Sequence, residues 1–275
     1  MRTSNRTFYI IVAGVCFSLL FLMTFLAPEL PSSIEPKRAS LSPWEFPPLG
    51  TDMNGRPLWE YATQGAKIIA LPSLLAGVLV AIFGMGGGLL RCLDMPKLQA
   101  LVQFLGEIVG ALPRMVVVLV VALLLPRDWR SLEPLAIVWA ILSAPGAIDE
   151  AGAVASRIGG SRFVEALRAH GFSSWRIYMQ HIVLLNLRPV IVRQGAETMM
   201  TVAFLEVALS YLAVVEDQAS FTHPENLRSW ADLLKEGYLW LALGLPTGHV
   251  LFVGLFMLGF VVVAAMSLSK AAEAR

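Results

Sequence analysis

Charge is scarce in this sequence. Only 15% of its 275 residues are Asp, Glu, Lys or Arg, against 56% hydrophobic. A soluble domain carries about 25% charged residues, so the solvent for most of this chain is lipid. The charges nearly cancel, and a net charge of +1 gives no case for nucleic acid as a partner. Cysteine is scarcer still. Cys16 lies inside an apolar run and Cys92 follows another, and two cysteines so far apart suggest neither a disulfide framework nor a metal motif. The four histidines, His170, His181, His223 and His249, form no H-E-x-x-H pair and no cluster with cysteine, so no metal site is expected. No Ser-His-Asp or Cys-His arrangement stands out, and the chain is not expected to be an enzyme. Asp149 and Glu150 are adjacent carboxylates, which face different ways on a helix; a solvated loop explains them.

A nucleotide loop is missing too. Gly84-Met85-Gly86-Gly87-Gly88 is glycine-rich, but no Gly-Lys-Ser/Thr follows and the run closes an apolar segment. Close helix packing is the expected use of these glycines. The chain is therefore expected to bind no cofactor and to carry no ATPase of its own.

What is present is a set of long apolar runs. A membrane helix needs about 20 mainly apolar residues. Six segments qualify: 8–27, 66–90, 108–125, 132–148, 190–215 and 238–269, the fourth being the shortest and carrying Pro145-Gly146. The reading is all-α, a polytopic membrane protein with six transmembrane helices. The first run follows Arg2 and Arg6, but it is long for a signal peptide and no small-x-small cleavage site follows, so it is expected to stay as a span. Residues 1–65 then form a first span and a loop rich in proline, and 66–275 the main membrane domain.

Lys and Arg set the orientation. The segment 149–189 holds Arg157, Arg162, Arg168, Arg176 and Arg188, whereas 28–65 and 216–237 are net acidic. That bias places both termini inside.

Charges inside spans are costly and invite a functional reading. Glu197 and Glu206 lie nine residues apart in the fifth span. At about 100° per residue they are about 180° apart in rotation, so both cannot face one narrow path. Two readings of Glu197 stand: an ion pair with Arg193 one turn earlier, or a contact with substrate. Arg114 and Lys67 near span ends are explained by snorkelling. His249 reads as a hydrogen-bonded core residue. Pro72, Pro113 and Pro246 interrupt apolar runs and are expected to kink them.

The segment 162–182 is polar and favours helix. Phe163, Val164 and Leu167 share one side, with Arg162, Glu165 and Arg168 elsewhere. Gly171 permits the positive φ that ends a helix. Ser173 or Ser174 can cap the next one, whose Trp175, Tyr178 and Met179 form an apolar face. On these residues alone two readings are open: a helix pair lying on the membrane surface, or a handle offered to a cytoplasmic partner.

Three motifs carry a resemblance. Glu165-Ala166, Gly171, Ile177 and His181 resemble the EAA loop of ATP-binding-cassette (ABC) import permeases, and the wider run 164–182 is similar to the oligopeptide/dipeptide type. Leu49-Gly50-Thr51-Asp52 with Gly55-Arg56 resembles that family's motif before the second span. Glu206-Val207-Ala208-Leu209-Ser210-Tyr211-Leu212 resembles its motif in the fifth. The resemblance covers roughly residues 45–267. It departs where the family has Pro-Asn after His-Ile, here Leu184-Leu185, where Leu167 replaces the second alanine of EAA, and where 216–224 look inserted.

The resemblance implies a permease subunit of a bacterial inner-membrane importer for peptides or similar small solutes. It implies a second permease, two ABC ATPase subunits that hold the ATP and magnesium, an extracytoplasmic substrate-binding protein, and lipid around the spans. Glu165, Ala166, Leu167, Gly171, Phe172, Ile177 and His181 would form an ATPase-coupling hairpin, with Leu167 and Phe172 packed in the ATPase groove. Glu197 and Glu206 would lie near the substrate pathway. The departures also fit a non-transporting scaffold that keeps the permease fold, with 216–237 as its docking surface.

Overall fold

The structure is a computed structural model and describes residues 2–28, 34–92, 96–126, 129–159, 162–215 and 227–273. Helices α1 (Arg2–Leu26), α2 (Leu58–Gly65), α3 (Leu71–Cys92), α4 (Pro96–Gly110), α5 (Arg114–Leu124) and α6 (Leu132–Gly159) come first. Then come α7 (Arg162–Ala169), α8 (Ser174–Arg176), α9 (Arg188–Val215), α10 (Trp230–Ala242) and α11 (Gly248–Glu273). Among the described residues there is no β-strand, only an isolated bridge between Thr51 and Pro57. The all-α expectation holds, and the helices are those of a multi-pass membrane protein.

The expectation of six spans meets a different count. Four helical stretches among the described residues are long and apolar enough to cross a membrane: Arg6–Leu26, Leu58–Leu90, Leu132–Gly159 and Gly248–Glu273. A fifth exists if Lys97–Gly110 and Arg114–Leu124, bent by 77°, act as one. The expected span 108–125 is thus corrected. It straddles that bend, where Pro113 lacks an N–H to continue the ladder and pushes Leu112 away from helical geometry. The expected span 238–269 is also two helices. Gly244, at φ +81°, and Pro246 separate α10 from α11. The expected span 190–215 lies within α9. Residues 216–226, half of the expected docking surface, lie outside the described residues.

Two runs of helix are longer than the sequence suggests. A π-helical stretch, Ala66–Ala70, joins α2 to α3 without a break, so residues 65 and 66 sit inside one helix. A second, Ile177–Leu187, joins α8 to α9, and helix is continuous from Ser174 to Val215. π-Helix is rare and often marks functional places.

Glycines set the closest crossings. A Cβ on Gly77 of α3 would lie 2.6 Å from the carbonyl oxygen of Gly195 of α9. In the glycine run, a Cβ on Gly87 would lie 2.6 Å from Ile148 Cα of α6, and one on Gly88 would lie 2.7 Å from Leu187. The glycine run is a packing surface. Around these crossings sit three apolar cores. One joins α1, α2, α9, α10 and α11; a second joins α3, α5, α6 and α9; the third lies beneath α7 and the second π stretch.

The motif 49–56 folds into a knot at the start of α2. Gly50 and Gly55 adopt φ +87° and +76°. The Asp52 carboxylate accepts from the N–H of Asn54 (2.9 Å) and of Arg56 (2.7 Å), and from the Tyr61 hydroxyl. His249 lies 3.1 Å from the Thr51 carbonyl, a hydrogen-bonded core histidine. On the neighbouring α10, Ser229 and Asp232 close a capping box and Trp230 Nε1 donates to the Ala62 carbonyl at 3.0 Å.

Glu236, one turn after Asp232, feels this crowd. Burial pushes its carboxyl up to about 7; Asp232 and Asp52 add to the shift, while Arg228 and Lys235 oppose it. A folded-state pKa raised above the ordinary 4.5 means stability that is full below about pH 4.5 and lost as pH rises through about 7. The purified protein is therefore expected to melt several degrees lower at pH 8 than at pH 5. Glu236→Gln should flatten that slope, and an unchanged slope in a melting series would remove Glu236 as its cause.

Candidate functional site

The hairpin is built as its sequence suggests. Helix α7 ends in a Schellman turn: Gly171, at φ +82°, donates to the Arg168 carbonyl at 2.9 Å, and Phe172 N–H donates to the Leu167 carbonyl at 3.2 Å. Ser173 then caps α8, accepting from Arg176 N–H at 3.4 Å. His170 holds the turn through a 2.7 Å contact with the Ala166 carbonyl.

The faces of the hairpin divide sharply. Val164, Ile177, Tyr178 and Ile182 are buried, and the Tyr178 hydroxyl donates to the Met85 carbonyl on α3. Glu165, Ala166, Arg168 and Gly171 are exposed, as are the large rings of Phe163 and Trp175. Among the described residues, the Glu165 side chain makes no hydrogen bond or ion pair. Leu167 and Phe172 do not face outward: both are half-buried against the core beneath α7. His181 sits inside as well, with Phe163 and Phe172 edge-on to its ring at 5.8 and 6.1 Å, and the Arg176 guanidinium covers Phe172 at 5.1 Å. The expected residues fall into two sets. Glu165, Ala166 and Gly171 form the presented surface; Leu167, Phe172, Ile177 and His181 fasten it to the chain. The exposed rings of Phe163 on α7 and Trp175 on α8 lie beside that surface.

The second cluster lies between α5, α6 and α9. A cleft of about 280 Å³ is walled by Val80 and Trp139 and lined by Arg114, Glu150, Gln194 and Glu197. Arg193 pairs with Glu150 and lies 3.7 Å from Glu197, while Gln194 Nε2 donates to the other Glu150 oxygen at 2.7 Å. The solvated-loop reading of Asp149-Glu150 is corrected here: α6 runs on to Gly159, so Glu150 is a helical residue facing α9. The Glu197 side chain is 58% exposed. Glu206 points elsewhere. It is fully buried and accepts from the Ser210 hydroxyl at 3.0 Å. The structure does not bring Glu197 and Glu206 together, in keeping with their half-turn separation.

A comparison with known proteins bears on this geometry. The chain is similar to a transport permease. That protein is the probable D,D-dipeptide transport system permease protein DdpC of Escherichia coli (strain K12), 28% identical over 197 residues. The similarity covers 68% of this chain and 63% of DdpC, less than two thirds of that protein's length. No protein-family model matches the chain.

Proposed function

We propose that the chain is a divergent permease subunit of an ABC importer in a bacterial inner membrane, moving peptides or similar small solutes. The observation that carries the reading is the hairpin. It presents Glu165 and Ala166 on a rigid, capped turn, and it continues without a break into α9. The similarity to DdpC supports the same reading, as does the set of long apolar helices.

In this reading two ATPase subunits bind ATP and magnesium and close on it. The surface of Glu165, Ala166, Phe163 and Trp175 sits in a groove of one ATPase, and Glu165 makes a charge-assisted hydrogen bond there. Ser174–Val215 carries the movement past Glu150 and Glu197 toward the far end of the membrane. Both termini lie inside, a second permease completes the path, and a substrate-binding protein delivers cargo from outside.

A pull-down in mild detergent tests this. The tagged chain is expected to bring down an ATPase, and Glu165→Ala to release that subunit or to uncouple its hydrolysis from transport. Recovery of membrane partners without an ATPase would leave a scaffold in place of a transporter.

A further inference from the structure

We infer that the foot of the long helix Ser174–Val215 seats an anionic phospholipid, with the Arg176 guanidinium on the headgroup phosphate and Leu184 and Leu185 against the acyl chains. The inference goes beyond the permease reading and does not depend on it, because it needs only the chain in a bilayer.

The seat is one stripe of one helix. The stretch Ile177–Leu187 is π-helical and its hydrogen bonds run i→i+5, so side chains four or five apart stack. Ile177, Tyr178, Ile182, Val183 and Leu187 point into the core beneath α7. Arg176, Gln180, Leu184 and Leu185 take the other face and are exposed. Two adjacent leucines at 58% and 61% exposure leave apolar surface uncovered. Their depth follows from α3. A Cβ on Gly88 would lie 2.7 Å from Leu187, and the apolar run of α3 ends at Leu90, just before Arg91. The leucines thus stand at the edge of the hydrocarbon, and Arg176 stands about two turns farther out, among the headgroups. Its direction is fixed. Arg176 Nε donates to Gln180 Oε1 at 3.0 Å, and the guanidinium lies over Phe172 at 5.1 Å. Both terminal nitrogens stay open, and a guanidinium can hold a phosphate with two parallel N–H groups. From leucine through amide to guanidinium, the stripe follows the order of a lipid from chain through ester to phosphate.

Charge favours an anionic lipid over a zwitterionic one. Between residues 151 and 189 stand five arginines and one acid, Glu165. Arg157, Arg162, Arg168 and Arg176 are exposed, and none forms an ion pair among the described residues. A basic cluster of this size beside a membrane helix attracts anionic headgroups, about fivefold for each arginine near the surface. The inward bias of positive charge accounts for the number of arginines. It does not account for a guanidinium fixed in direction two turns before an exposed pair of leucines. A water-soluble protein fits this stripe less well, because it would have to enter the hydrocarbon edge to cover Leu184 and Leu185.

The test uses the purified full chain in vesicles of phosphatidylcholine, of phosphatidylglycerol and of their mixtures, each lipid with and without bromine on its acyl chains. Leu185→Trp supplies a reporter in the stripe, and bromine quenches an indole that it touches. The quenching of the added ring is read as the difference from the wild-type chain. If Leu185→Trp does not fold, Leu184→Trp serves. Brominated phosphatidylglycerol is expected to quench at lower mole fraction than brominated phosphatidylcholine. Arg176→Gln, added to the reporter, is expected to cut that preference about fivefold. Arg176→Lys keeps the charge and should keep most of the preference. Three results overturn the inference. Absence of quenching by either lipid would mean that the leucines meet water or protein and are open to a protein partner. Equal quenching by both lipids would mean a lipid contact without recognition of charge. An equal change, or none, in Arg176→Gln and Arg176→Lys would mean that the charge at residue 176 does not choose the lipid.

Discussion

Gly77→Val is expected to leave almost no folded protein. The Cβ that any other residue brings would stand 2.6 Å from the Gly195 carbonyl oxygen and 3.3 Å from its carbon. Those are backbone atoms in the middle of α9 and cannot swing aside as a side chain can. Relief would require α3 and α9 to separate, which strips contacts from the second core along much of their length. Overpacking of this kind costs about 1–3 kcal/mol where neighbours can adjust. Here they cannot, and the loss should exceed that range. Gly86 supplies the control, since a Cβ there meets nothing within 4 Å, and Gly86→Ala should be tolerated. Size-exclusion chromatography of fluorescent fusions in mild detergent reads both variants. A sharp wild-type peak for Gly77→Val would mean that α3 and α9 do not cross at these glycines.

Gly171→Pro should abolish transport while the chain still inserts and purifies. Proline holds φ near −65°, whereas Gly171 sits at +82°. Proline also removes the N–H that donates to the Arg168 carbonyl. The Schellman turn would open at a local cost of about 3 kcal/mol, and Glu165 would no longer hold a fixed direction. Space is not the obstacle, because a Cβ at Gly171 meets nothing within 4 Å. Gly171→Asn, which enters the left-handed region more readily than other residues, should therefore keep most of the activity. Uptake rate set against the amount of inserted protein separates the outcomes. Wild-type uptake by Gly171→Pro would end the coupling role of the hairpin.

The hairpin was readable in the sequence because its determinants are local. Gly171 ends α7 and Ser173 starts α8, two residues apart, and short-range hydrogen bonds decide both. The packing use of the glycine run was readable for a similar reason: nothing else in the sequence supplied a nucleotide motif. The breaks were harder. Pro113 lay within 108–125 and Gly244 and Pro246 within 238–269, yet the apolarity of each run outweighed them in a reading based on length. Long-range pairings left no local trace. Glu150 and Arg193 are 43 residues apart, and nothing near either names the other. The inward turn of Leu167 and Phe172 likewise depends on how α7 rolls onto Ile177 and Ile182, a contact made by tertiary packing.

The touching backbones of Gly77 and Gly195 also make a fulcrum. Helix runs unbroken from Ser174 to Val215, so Gly195 stands near its middle. At about 1.5 Å per residue the two arms are each about 30 Å long. A push at Ser174, where the hairpin joins, then becomes an opposite swing of similar size at Val215. Glu197 sits close to the pivot and hardly moves, while Glu206 rides the outer arm.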